Sequence, residues 1–421
     1  MISRRRLLKG AAAAGVLGAT SNFPLPAYAK TRPIKIGFVT PKTGPLAIFA
    51  EPDDFVLGQF REALKDGLEI NGAKHPIEFI VKDSQSNSNR ASSAAQELIF
   101  EDEVDIIAAS STPDTTNPVA DQAELNGVPC VTNDTPWQPH FFGRQGDPSV
   151  GFEYTNHFFW GLEDIIQVFM SHWDAIGTNK IVGAMWPNDP DGNGWSHPEL
   201  GFPPVMQQAG YTLVDPGRYQ NMTDDFSAQI SAFKDAGVEI VSGVMIPPDF
   251  TTFWTQAAQQ GFAPKVVNVA KASEFPQAMA ALGNRADGLS VEVWWHKFFP
   301  YASSFSGQSC EALADAYTAA TGKPWTMPLG AKHSLFEVVI DSLRRSQDLD
   351  SPESIAEAIR GTDLNTVFGP VNFQTGPVPS VSKTPLAGGQ WQLNGGEPEL
   401  QIVTNSHTPA IPTTGEMKPI A

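Results

Sequence analysis

At 421 residues the chain is too long for one ordinary core, and 41% of it is apolar, so two packed domains are expected. A formal net charge of −18 argues against nucleic acid and anionic lipid as partners. Two cysteines are too few for a disulfide framework, and Cys130, within the apolar stretch GVPCVT, reads as a buried free thiol.

The chain opens on Arg4, Arg5, Arg6 and Lys9, continues through a short apolar run, and reaches Ala27-Tyr28-Ala29 before Lys30. This is the pattern of an export signal peptide over residues 1–29, with a small-x-small cleavage site. Ser3-Arg4-Arg5 followed by Leu7-Leu8-Lys9 is similar to the twin-arginine signal, and without a cysteine it indicates no lipid anchor. After Lys30 no apolar run approaches the ~20 residues of a membrane span, so a soluble periplasmic product is expected.

From Ile34 short β-rich runs alternate with helical stretches. IKIGFV reads as a strand, and Val56, Phe60, Leu64 and Leu68 then recur at helical spacing. IEFIVKD, VDIIAAS and VPCVTND read as further strands, with NRASSAAQELIFED a helix between the first two. This βαβα order builds a parallel sheet with helices on both faces. After Trp160 the alternation restarts. NKIVGAMW, GYTLVD, VEIVSGVM and KVVNVA read as strands, separated by helices over Pro198 to Gly210, DDFSAQISAFKDAG with Thr223 as its cap, and DFTTFWTQAAQQG. Beyond Gly369 the proline- and glycine-rich end reads as loops with short strands.

In open α/β sheets ligands sit beyond the carboxyl ends of strands. Those positions carry TPKTGPLAIF with Phe49, SSTPDTT with Ser110, Ser111, Thr112 and Thr115, and TNDTPW with Asn133, Asp134, Thr135 and Trp137. In the second half they carry WPNDPDGNGW with Trp186, Asp191 and Trp195, then MIPPDF, then AKASE with Lys271. Hydroxyls, amides, a few charges and rings suit a small ligand held by many hydrogen bonds. The stretch from Asp189 begins like a calcium loop, with Asp189, Asp191, Asn193 and Gly194 in place. The closing bidentate acid is missing, because Leu200 stands there and Glu199 is one residue early. No metal is therefore expected.

The stretches IKIGFVTPKTGPLA, DIIAASSTPDTTNPVADQAELNGVPCVTNDT, TDDFSAQISAFKDAGVEIVSGVMIPPD and TVFGPVNF occur in order along the chain. In that series the sequence resembles the periplasmic substrate-binding proteins of ABC transporters that include the leucine/isoleucine/valine-binding protein. The resemblance implies a type I periplasmic binding fold, two doubly wound parallel-sheet lobes joined by a three-segment hinge that closes on ligand. Crossings are expected near Tyr154, Ser290 and Pro370. Lobe one would then hold residues 31–153 and 290–369, and lobe two 154–289 and 370–421. It further implies that the loops around Ser110 to Thr116 and Asn133 to Trp137 grip a ligand carboxylate, and that the loop through Asp191 lines the cleft. Where the family's amino-acid binders pair an acid with the ligand ammonium this chain has Lys271, with Glu274 three residues on. That departure favours a carboxylate without an amine, and the rings Phe49, Trp137, Trp186 and Trp195 would suit an aromatic one.

The function so implied is a periplasmic solute receptor, monomeric and without cofactor, that delivers an amino acid or related small carboxylate to an inner-membrane permease. A sensor partner of a membrane receptor would use the same fold. A periplasmic hydrolase is the third class, with Asp189 and Asp191 as its only acid and base pair. G-x-S-x-G, H-E-x-x-H and the phosphate-cradling glycine loop are all missing, and no catalytic residue is assigned.

Overall fold

The alternating runs fold into two sheets in a computed structural model that describes residues 31–420; the export-signal reading of residues 1–29 lies outside the described residues. The strands are β1 Ile34–Thr40, β2 Leu68–Ile70, β3 Ala73–His75, β4 Ile77–Asp83, β5 Ile106–Ser110, β6 Cys130–Asn133 and β7 Thr155–Phe158. They continue as β8 Ile181–Met185, β9 Thr212–Val214, β10 Ile240–Met245, β11 Val266–Lys271 and β12 Ser290–Val293. The last five are β13 Asp363–Thr366, β14 Gly369–Asn372, β15 Val381–Ser382, β16 Ala387–Asn394 and β17 Glu397–Thr404. Helices alternate with them: α1 Asp53–Ala63, α2 Ser88–Phe100, α3 Pro113–Asn126, α4 Trp137–Phe141, α5 Leu162–Ala175, α6 Pro190–Trp195 and α7 Phe202–Gln208. The remainder are α8 Ser227–Ala236, α9 Pro247–Gln259, α10 Pro276–Leu282, α11 Cys310–Thr321, α12 Met327–Arg345 and α13 Pro352–Arg360.

The first sheet has the order β15-β7-β6-β5-β1-β4 and is parallel throughout. The second has the order β17-β16-β12-β11-β10-β8-β9, parallel from β12 to β9 and antiparallel at the β16 and β17 edge. Strands covered by helices on both faces read as continuous apolar runs, and every residue of β5, β10 and β11 is buried. No helix among the described residues is long and apolar enough to cross a membrane. Cys130 and Cys310 are both buried free thiols.

Sheet membership moves the expected lobe boundaries. β7 pairs with β6, so the first passage to the second sheet follows Phe158 and not Tyr154. β12 pairs with β11 and β16, so the return to the first sheet follows Val293 and not Ser290. The third passage lies between Ser382 and Ala387, well after Pro370, because β13 and β14 form a hairpin and β15 still pairs with β7.

Three local readings also change. Leu68 leaves the helical stripe: α1 stops at Ala63, Gly67 turns the chain at φ 91°, and Leu68 begins a hairpin. Thr223 does not cap α8, which starts at Ser227 after Phe226. The glycine-rich end contains the expected short strands, β14 and β15, and in addition two eight-residue strands. Gly389 is needed there, since a Cβ would stand 2.4 Å from the Val293 side chain.

Candidate functional site

The carboxyl ends of both sheets face one narrow pocket with about 20 Å³ of free space, room for about one water. Phe49 follows β1, Thr112 and Pro113 follow β5, Asp134 and Pro136 follow β6, and Phe159 and Trp160 follow β7. From the second sheet come Asp191 and Trp195 after β8, Val244 in β10, Ala270 and Lys271 at the end of β11 with Glu274 just after it, and Glu292 and Trp294 at and beyond β12.

Six residues expected from the sequence meet at this pocket: Phe49, Thr112, Asp134, Asp191, Trp195 and Lys271. The others stand behind the wall. Asn133 donates from Nδ2 to the Ala331 carbonyl at 2.8 Å, and Thr135 donates from Oγ1 to the Ser111 carbonyl at 2.7 Å. Trp137 donates from Nε1 to Glu163 at 3.2 Å. Trp186 is a packing residue, 6.2 Å from Phe202 between ring centroids and covered by the Arg218 guanidinium at 5.1 Å. Ser110, Ser111 and Thr115 are buried but do not line the pocket.

The hydroxyls of Ser111, Thr115 and Thr116 are buried without a hydrogen-bond partner, while those of Ser110 and Thr112 bond Asp134 and Asp114. Helix capping does not explain them, because α3 has no side-chain cap. Buried hydroxyls are normally satisfied, so this group at the amino end of a helix is exceptional for a core. Only Thr112 reaches the pocket wall itself.

The aspartate-rich loop is a capped helix. Asp189 accepts from the Gly192 amide at 2.8 Å as the N-cap of α6 and from Asn221 Nδ2 at 2.9 Å, so its carboxylate is occupied. Asp191, one turn in, points to Lys271, whose Nζ is 2.6 Å from Asp191 Oδ2 and 3.4 Å from Asp189 Oδ2. Burial opposes the charge on Lys271, yet Asp189 and Asp191 together hold its ammonium above the ordinary lysine range. The expected role of Lys271 as a free counter-charge for a ligand carboxylate is corrected on this point: its ammonium is already paired.

Lys271 also carries an unusual backbone. With φ 64° and ψ −63° it occupies the γ-turn region that side chains rarely adopt. Its amide donates to Glu274 Oε1 at 2.9 Å, which holds the turn and swings Glu274 into the pocket.

The principal residues missing from the sequence reading are Phe159, Trp160, Glu292, Trp294 and Lys332. The rings run as a continuous wall from Trp195 through Trp160 and Phe159 to Trp294, with centroids 6.4, 4.9 and 5.4 Å apart. Glu292 is fully buried and stands against Glu274. Burial, then the like charge of Glu274, push its carboxyl well above the usual range, and burial raises Glu274 as well. Behind Asp134, Lys332 donates to the Ser110 carbonyl at 2.6 Å and lies 3.5 Å from Asp53, both side chains fully buried. Burial pushes Asp134 up, against the pull of Lys332.

The geometry is that of a narrow cleft lined by rings and by charged side chains from both sheets. A family model described as periplasmic binding protein matches residues 33–380. The leucine-, isoleucine-, valine-, threonine- and alanine-binding protein of Pseudomonas aeruginosa is 22% identical over 341 residues, covering 81% of this chain and 85% of that protein. Among solved structures, a leucine-binding protein from Thermotoga maritima superposes with a TM-score of 0.69 at 20% identity, over 89% of this chain and 99% of that one. A solute-binding protein of an ABC transporter from Rhodopseudomonas palustris, solved with 3,4-dihydroxybenzoic acid, gives a TM-score of 0.70 at 19% identity, over 88% and 95% of the two chains. With a family match over most of its length, this chain belongs to the periplasmic binding protein family.

Proposed function

We propose that the protein is the solute receptor of an ABC importer: it takes an amino acid or related small carboxylate into the pocket between the sheets and presents the closed form to an inner-membrane permease. The observation that carries this reading is the narrow pocket at the carboxyl ends of strands from both sheets, where a wall of rings meets buried carboxyls and a lysine. Family membership and relatives named for amino-acid and aromatic-acid ligands support it. Nothing in the pocket resembles a nucleophile with its base: the carboxyls there lie beside a paired lysine or beside each other, and the described histidines do not line it. A periplasmic location, export by the twin-arginine route and a monomeric state complete the proposal.

A thermal-shift screen against amino acids and against aromatic or aliphatic acids tests it. A ligand at a hundredfold its dissociation constant adds about 2.7 kcal/mol to stability, so the true solute class raises the melting temperature clearly. A flat response to both panels and to amines would contradict the receptor reading.

A further inference from the structure

The charges around the pocket do not balance. Asp134, Asp191, Glu274 and Glu292 line it, and its one lining cation, Lys271, is already bound to Asp191 and Asp189. Lys332, the nearest second cation, sits behind Asp134 against Asp53. Glu274 and Glu292 hydrogen-bond each other, Asp134 takes a bond from the Ser110 hydroxyl, and Oδ1 of Asp191 is buried without a hydrogen-bond partner. The unpartnered donors at the wall are neutral, the indole N–H groups of Trp160 and Trp195; that of Trp294 donates to Glu274. They can hold a carboxylate or carbonyl of the ligand, but they offer it no counter-charge.

We propose that the pocket selects a solute of net positive charge, its cationic group seated at Glu274 and Glu292 beside the Trp294 and Trp160 rings. The inference rests on the receptor reading and narrows its ligand by charge, toward basic amino acids and amines and away from amine-free acids. The two glutamates share a hydrogen bond that can open to accept from an ammonium, and π faces nearby add attraction for a cation. A neutral zwitterion would leave part of the acid surplus uncompensated, and an anion would add to it.

The pocket answers the same imbalance with protons. Glu274 and Glu292 face each other, with Lys271 and Asp191 on one side and Asp134, backed by Lys332 and Asp53, on the other. Burial holds both glutamates above their ordinary range. An arriving cation favours their ionised forms, so a proton passes from the pair to solvent as the ligand enters.

The experiment is calorimetry at pH 7 with two probe pairs, benzylamine against benzoate and lysine against leucine, each in two buffers of different ionisation enthalpy. The cationic probe of at least one pair should bind tenfold tighter or more than its partner, with proton release visible as a buffer-dependent enthalpy. Glu292→Gln should weaken that cation tenfold or more and abolish the released proton. Because the comparison of probes uses the unaltered protein, it stands whether or not the variant folds. Benzoate or leucine binding as well as or better than its cationic partner would overturn the charge assignment while leaving the receptor reading intact. Failure of both cations to bind would overturn it too; the receptor reading itself would fall only with the wider solute screen.

Discussion

Replacing Lys271 by methionine is expected to cost about 3 kcal/mol of stability or more, measured by urea unfolding at pH 7. The ammonium lies in a buried pair with Asp191 and is 3.4 Å from Asp189, and methionine fills much the same volume without the charge. Removing one partner leaves the other buried and uncompensated, which is the costly half of breaking an ion pair. Asp189 tolerates the loss because Gly192 and Asn221 still donate to it; Asp191 does not, since its Oδ1 already lacks a partner. A second substitution, Asp191→Leu, should therefore restore most of the stability, and the double-mutant cycle isolates the coupling. A single variant that unfolds within 1 kcal/mol of the parent, by about the limit of surface substitutions, would mean that the pair is not formed.

Gly192→Ala is expected to abolish high-affinity binding and to destabilise the fold by roughly 1–3 kcal/mol. A Cβ at this position would stand 1.9 Å from the Pro187 carbonyl oxygen, which is backbone and cannot swing aside. Either the Asp189 cap on the Gly192 amide breaks or α6 moves as a body. In both cases Asp191 and Trp195, the two residues that α6 sends to the pocket, leave their places. Titration of the ligand identified by the thermal screen checks this: a fall in affinity of less than tenfold would show that α6 does not position the site.

Most of the fold was legible because its strands are covered on both faces and read as unbroken apolar runs, as IIAAS and IVSGVM do. Six pocket residues followed from one rule, that ligands sit at the carboxyl ends of parallel strands. The same rule would have produced Trp160 and Trp294 had their strands been recognised. TNHF mixes polar and ring residues, and SVEV carries a buried acid, so neither has the composition of a core strand. Glu292 had its own signal, an acid inside an otherwise apolar run before two tryptophans, and such a residue is paired or functional when buried.

Lys271 illustrates a different limit. Its position at the pocket was readable from the strand end, but its partner was not, because Asp191 and Lys271 are far apart in sequence and meet only through the pairing of β8, β10 and β11. Trp186 and Trp195 flank the same loop and both pack on Phe202, yet only Trp195 also lines the pocket. Which side a ring takes depends on the six-residue helix between them, whose start is fixed by the Asp189 cap.

The central claim is that the two sheets and their helices close on a solute held in this pocket. Small-angle X-ray scattering of the purified protein, without and with a saturating amount of the solute that stabilises it most, tests this directly. Closure by hinge motion predicts a smaller radius of gyration in the bound form and a reduced response in Gly192→Ala. An unchanged radius of gyration at full saturation would contradict the proposed closure of the two sheets on the solute.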